Sequence, residues 1–295
     1  MFFFHHSTEI LKSYAKINVS LHLLGKLDNG YHELDMVFLP IDLHDSIELS
    51  FLPNSYDSFI TCDDIGLANN RHNLCMKALN AMREEFHFKE QFNIVIHKNI
   101  PYAAGLGGGS SNAAAIILAL NRVLHLNASK EQLEKIALTI GADVPYFFYN
   151  KPANVKGVGE IIEPFSLEQS YHVLIVKPSK GLSTKAIYEA SDDFVFAHSN
   201  NQSTEKVIKA LQEGNLDELS KAMSNDLYEP AKKILPDVEY VVNEMKKIGL
   251  PASMMTGSGS ACFALSQNLK TIKEAAKIFE GKGYATFITH TLSSK

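Results

Sequence analysis

Three cysteines in 295 residues, Cys62, Cys75 and Cys262, are too few and too far apart to staple a disulfide framework or to hold a thiolate metal site. Such usage suits a reducing compartment, and a cytoplasmic location is expected. A basic excess is missing as well. The formal net charge is -5 and the 28 lysines and arginines are scattered, so no positive stripe could neutralise a nucleic-acid backbone. Nucleic acid is not an expected partner, and any phosphate binding must be local. No run approaches the roughly 20 apolar residues that span a bilayer. The start, Met1-Phe-Phe-Phe-His-His6, lacks the basic opening and small-residue cleavage site of a signal peptide. No membrane partner is expected, and nothing calls for an obligatory protein partner.

What is there is an ordinary globular balance, 45% apolar and 21% charged residues. The length favours two domains over a single core, and the pattern of elements changes near residue 155. The expected division is 1–155 and 156–295, each α+β. No repeat of fixed period is present.

From Tyr14 to Leu24 apolar and polar residues alternate, which predicts a half-buried strand with Lys16, Asn18 and Ser20 on its polar face. Asn29-Gly30 signals a hairpin turn, and strands are expected at Met36–Leu43, Ser46–Leu52 and Phe92–His97. Helices are expected over Asn73–Phe86, from Ser110 to Leu124, and from the capping box Ser129-Lys-Glu-Gln132 to Gly141. The second half reads as a strand at His172–Val176, a polar stretch at 191–203, and helices near 204–213, 217–224 and Asp237–Ile248. A strand at Ala261–Leu265, a helix near Thr271–Phe279 and a final strand follow.

The strongest chemical signal is the loop Pro101-Tyr-Ala-Ala-Gly-Leu-Gly-Gly-Gly-Ser-Ser111, which runs into a helix start. Glycines let backbone N–H groups approach a phosphate, and the helix end adds partial positive charge. A dinucleotide fingerprint is missed, because Ser110 stands where its third glycine or alanine belongs. The nucleoside-triphosphatase loop is missed too, since Gly25 and Gly30 are followed by Tyr31 and His32.

On the residues alone several readings stay open. Asp143 could serve as a base or simply cap the turn that follows it. Lys16 reads as an ordinary solvated strand lysine. Tyr31 and His32 read as a tyrosine packed on the hairpin and a surface histidine. Gly257-Ser-Gly259 could close over phosphate or form a plain turn.

With Ala15-Lys-Ile-Asn18, Gly30-Tyr-His32, Gly141-Ala-Asp-Val-Pro145 and Thr256-Gly-Ser-Gly259, the loop forms a set of motifs running from residue 15 to 260. As a set they resemble the GHMP small-molecule kinases. The resemblance implies an N-terminal ATP-binding domain like ribosomal protein S5 over 1–155 and a C-terminal ferredoxin-like domain over 156–295. It implies ATP and Mg2+ as cofactors, and transfer of a phosphoryl group to the hydroxyl of a small-molecule substrate carrying a cytidine diphosphate group.

The same resemblance gives Asp143 the task of accepting the hydroxyl proton, with Lys16 paired to it and stabilising the developing charge. ATP would be held by Pro101, Tyr102, Ala103, Ala104, Gly105, Leu106, Gly107, Gly108, Gly109, Ser110 and Ser111. The substrate would be held by Asn18, Tyr31, His32, Thr184, Tyr188, Gly257, Ser258 and Gly259. Ser110 or Ser111 is the candidate metal ligand. Two stretches depart from the family pattern: Tyr102-Ala103-Ala104 stands where Met-Gly followed by Gly or Ala is typical, and Gly181-Leu-Ser183 differs from the usual flank of Thr184. Ala103 is expected to bear on nucleotide affinity more than on nucleotide identity. Kinases for homoserine, mevalonate or a sugar remain alternatives, as does a catalytically silent nucleotide-binding regulator.

Overall fold

The structure, a computed structural model, describes residues 8–64, 72–194, 196 and 203–292. The start at 1–6 and, within the polar stretch, residues 195 and 197–202 lie outside the described residues. Chain order begins β1 (Glu9–Lys26), β2 (His32–Phe51), β3 (Phe59–Cys62), α1 (Leu74–Phe86), β4 (Phe92–His97), α2 (Gly108–Val123) and α3 (Lys130–Ile140). After a 3-10 turn at Pro145–Phe148 come β5 (Ala153–Gly157), β6 (Ile161–Pro164), β7 (His172–Lys177), α4 (Thr184–Ser191), α5 (Thr204–Glu213) and α6 (Leu216–Ala222). The chain ends with α7 (Tyr228–Ile234), α8 (Asp237–Lys247), β8 (Ser253–Met255), β9 (Cys262–Ser266), α9 (Leu269–Gly281) and β10 (Ala285–His290). Two compact units emerge, one of Met1–Ala15, His44–Tyr102 and Gly107–Tyr149, the other of Lys16–Leu43, Ala103–Leu106 and Asn150–Lys295. Among the described residues no helix is long and apolar enough to cross a membrane.

In the first unit β4 pairs antiparallel with the far half of β2, from Ser46↔His97 to Phe51↔Phe92, and parallel with β3. Helices α1, α2 and α3 pack together and bury apolar faces that include Leu79, Met82, Ile116, Ile117, Leu120 and Leu133. The Asn73 side chain caps α1 by accepting from the Cys75 N–H, and α3 opens on the complete capping box of Ser129 and Gln132. Gly141 ends α3, as expected, but its backbone is extended at φ 177°, so no left-handed torsion demands glycine there. The expected break between two strands at His44-Asp45 is absent, and β2 is continuous. Asp45 stays within the strand because its carboxylate accepts from the Asn99 and Ile100 N–H groups, both at 2.8 Å, and from the Lys98 ammonium. These partners satisfy a buried charge that would otherwise break the ladder.

In the second unit the near half of β2 pairs antiparallel with β5, which pairs with β6. The Asn29-Gly30 turn forms as expected, with Gly30 at φ 83° and Tyr31 N–H donating to the Asn29 Oδ1. A separate antiparallel sheet has the order β10-β7-β9-β8 and carries α8 and α9. Its β7-helix-β8-β9-α9-β10 succession is the βαββαβ order of ferredoxin-like domains. The half-buried reading of β1 is corrected: both faces are covered, and Lys16, Asn18, Ser20 and His22 are as buried as Ile17 and Val19. A solvated lysine is thereby excluded at Lys16.

Candidate active site

A row of buried polar side chains on one strand face is expensive unless each finds a partner. Lys16, 3% exposed, donates from Nζ to the Asn18 Oδ1 and lies 4.3 Å from the centre of the Phe38 ring. Its backbone N–H donates to the Leu106 carbonyl at 3.0 Å, which ties β1 to the middle of the glycine-rich loop. Asn18 N–H donates to Thr256 Oγ1 at 3.0 Å, and Thr256 Oγ1 in turn reaches the Gly105 carbonyl at 3.3 Å. Strand, loop and the Thr256–Gly259 turn are thus knitted at one place in the second unit.

Gly105 and Gly257 are required at that place by space as well as torsion. A Cβ on Gly105, at φ 74°, would lie 2.1 Å from the Thr256 carbonyl oxygen, and one on Gly257, at φ 54°, would lie 2.9 Å from the Gly105 oxygen. Gly259, at φ 83°, leaves no room beside Met255 and Leu182. Asn225 holds the turn from below, donating to the Met255 and Gly257 carbonyls at 2.9 Å each. Ser258 bonds Thr184 through their hydroxyls at 2.9 Å, so these two expected substrate residues are neighbours. Ala104 and Leu106 are buried, and Ala103 adopts a left-handed φ of 50°.

The first-unit part of the loop comprises Pro101, Tyr102 and Gly107 to Ser111. Tyr102 is exposed. Helix α2 starts at Gly108, two residues earlier than expected, because Gly107 at φ 72° is the N-cap. No side chain caps this end and its first turn holds no acidic residue, so its N–H groups and dipole are available to an anion. Gly108 is forced by Ile100 and Lys98, whose Cγ2 and Nζ would stand 3.0 and 3.3 Å from an added Cβ. Gly109 is exposed, whereas Ser111 is buried and its N–H donates to the Gly107 carbonyl at 2.9 Å. Ser110 faces Gly141, its hydroxyl 4.0 Å from where a Cβ would stand.

Asp143 lies in the turn between α3 and Pro145–Phe148 and is partly exposed. Its charge acts on the buried Tyr146 hydroxyl, whose pKa is pushed up chiefly by burial and further by Asp143. At the hairpin of the second unit, Tyr31 is 62% exposed while the His32 ring packs on Tyr188, centroids 5.4 Å apart at 37°. His32 Nε2 is 2.8 Å from the Asp192 Oδ1, and Lys26 bonds the other oxygen of that carboxylate. Among the described residues no group of three or more His, Cys, Asp or Glu side chains could hold a metal ion.

Sequence reasoning had Thr256 within a motif and Asp192 within a polar stretch but gave neither a role, and it missed Asn225 altogether. Asn225 sits 30 residues from the carbonyl it holds and Asp192 160 from its histidine, so neither leaves a local pattern. A run of polar residues alternating along a strand otherwise rich in Ile, Val and Leu was the available signal for the β1 face.

The model of the GHMP kinases N terminal domain matches residues 73–151, and that of the GHMP kinases C terminal region matches 207–285. The chain is 37% identical over 287 residues to a 4-diphosphocytidyl-2-C-methyl-D-erythritol kinase of Clostridium perfringens (strain 13 / Type A), covering 96% of this chain and 98% of that protein. A protein of the same name from Thermoanaerobacter pseudethanolicus is 36% identical over 265 residues, 90% of each chain. The crystal structure of a 4-(cytidine 5'-diphospho)-2C-methyl-D-erythritol kinase superposes with a TM-score of 0.80 at 28% identity, over 96% of this chain and 99% of that one. A homoserine kinase from Cytophaga hutchinsonii superposes at 0.73 with 15% identity, over 99% and 98%, and shares the fold.

Proposed function

The chain belongs to the 4-diphosphocytidyl-2-C-methyl-D-erythritol kinase family of the GHMP kinases, and from that membership we propose that it converts ATP and 4-diphosphocytidyl-2-C-methyl-D-erythritol to ADP and the 2-phosphate. The reaction belongs to the non-mevalonate route to isoprenoid precursors. The observation that carries this reading is identity of 37% spread over 96% of the chain, against 14 to 16% for the homoserine and mevalonate kinases that share the fold. A silent regulator is disfavoured because Lys16 and Asp143 are both in place.

In this reading the substrate 2-hydroxyl gives its proton to the Asp143 carboxylate as its oxygen bonds the γ-phosphorus, and the bond from that phosphorus to the bridging oxygen breaks to release ADP. The N–H groups at the start of α2 receive phosphate oxygens, and the Lys16 ammonium, stripped of water, offsets the charge that develops. Tyr31, His32 and Tyr188 take the cytosine, while Asn18, Thr184 and Gly257 to Gly259 take the remainder of the substrate. Magnesium, when bound, screens the phosphate charges. Ser110, whose hydroxyl lies 4.0 Å from where a Cβ on Gly141 would stand, would hold the ion in preference to the buried Ser111, with phosphate oxygens and water supplying the other ligands. The three free cysteines support a cytoplasmic setting, and the acidic net charge gives no support to a nucleic-acid partner.

The test is ADP release with a panel of acceptors. Turnover with the cytidylylated methylerythritol, and none with homoserine or mevalonate, is expected; activity confined to either of the latter overturns the substrate. Asp143→Asn should retain ATP binding and lose about 10²- to 10⁴-fold in kcat, and near-normal turnover would remove Asp143 from its role.

A further inference from the structure

Asp192 is the C-cap of α4, where a carboxylate faces the negative end of the helix dipole and is electrostatically disfavoured. Its position is compensated from elsewhere. One oxygen accepts from Lys26, the last residue of β1, and the other is 2.8 Å from Nε2 of His32, the first residue of β2. The carboxylate therefore bridges both feet of the hairpin turn that carries Tyr31. Lys26, and after it His32, hold the Asp192 carboxyl below its usual range, so it is ionised and can only accept. In the neutral His32 ring the proton then sits on Nε2, and Nδ1 is left as an acceptor. The ring is fixed on its face by Tyr188 and is only 10% exposed.

We propose that Asp192 is a positioning residue of the nucleobase site: by accepting from Nε2 of His32 it sets the tautomer in which Nδ1 accepts, so that the ring reads the exocyclic amine of cytosine and rejects the carbonyl that uracil carries at the same place. The chemical basis is the difference between the two bases, an N4 donor in one and an O4 acceptor in the other. An acceptor nitrogen pairs with the first and repels the second. The inference rests on the reading that His32 touches the base.

The experiment compares wild type, Asp192→Ala, His32→Ala and the double variant with the cytidine substrate and its uridine counterpart. Asp192→Ala should raise the KM for the cytidine substrate and lower the cytidine-over-uridine ratio of kcat/KM, each about tenfold, the worth of one hydrogen bond. The kcat and the KM for ATP should stay within twofold. Nitrogen-15 spectra of the His32 ring should change from the Nε2–H tautomer to a mixture, and Asp192→Ala should add nothing in the His32→Ala background. If Asp192→Ala leaves the ratio and the ring spectrum unchanged while His32→Ala loses discrimination, the inference falls and the reading of His32 stands. If His32→Ala itself leaves the KM and the ratio unchanged, both fall.

Discussion

The methyl group of Ala103 occupies the space that a side chain on Gly181 would need, for a Cβ on Gly181 would lie 2.8 Å from it. Ala103 is itself strained, since its φ of 50° is a left-handed torsion that costs a residue with a Cβ about 1–2 kcal/mol. The structure makes the two positions complementary: an alanine with a left-handed torsion in the loop, and a glycine opposite it. Ala103→Gly should therefore stabilise the protein by about 0.5–1 kcal/mol, and Gly181→Ala should destabilise it by about 1–3 kcal/mol through overpacking. The double variant should recover about 1 kcal/mol or more relative to the sum. Urea midpoints of the four proteins check this, and strict additivity would show that the two positions are not coupled.

Gly105→Ala tests the knot between strand, loop and turn. With the Thr256 carbonyl oxygen 2.1 Å from the new Cβ, the loop must move by about an ångström, and displacements of that size cost about 10²-fold in rate. A fall of that order in kcat/KM is expected, with secondary structure by circular dichroism retained. Activity within a few-fold of wild type would mean that the loop tolerates the shift.

The buried pair of Asp45 and Lys98 lies beneath the start of α2. Removing one partner of such a pair leaves a desolvated charge, and about 3–5 kcal/mol of stability should be lost in Asp45→Ala or Lys98→Met. Replacing both by apolar residues should cost less than Asp45→Ala plus Lys98→Met added together, although the Asn99 and Ile100 N–H groups would still lack their acceptor. Equilibrium unfolding of the three variants decides the matter.

These sites also show what a sequence can and cannot disclose. Ser129 and Gln132 announce a helix start because both halves of the capping box lie within four residues, and Phe92–His97 emerges with the expected ends because its alternation is local. The fold class and the glycine-rich loop were legible for the same reason. Helices α4 and α7 and strands β3, β5, β6 and β8 were not, being only 8, 7, 4, 5, 4 and 3 residues long, which leaves a period little room to declare itself, although α6, also of 7 residues, was read. The burial of the Lys16 face could not be read from β1, because what covers it includes Phe38 and Thr256, far along the chain. The role of Asp192 was hidden on both counts: it caps a short helix, and its partners stand 160 and 166 residues away.

Tyr171 offers a test of buried-group ionisation in alkaline solution. Its side chain is fully buried, its hydroxyl donates to the Leu211 carbonyl, and burial pushes its pKa up to about 12, against about 10 in an unfolded chain. Below pH 10 both states keep the proton and this ionisation contributes nothing to the pH dependence. Between pH 10 and 12 the unfolded chain releases a proton that the native protein retains, so stability falls as pH rises, by up to ~1.4 kcal/mol per pH unit from this one group. Tyr171→Phe should be about 1 kcal/mol less stable at pH 8, because the Leu211 carbonyl loses its donor, yet its stability should decline less steeply above pH 10 by about one proton. Tyr146 is also raised, but it is present in both proteins and cancels in the comparison. Urea denaturation at half-unit intervals from pH 8 to 11 measures the two slopes, and parallel curves would show that the Tyr171 hydroxyl ionises as readily in the native protein as in the unfolded chain.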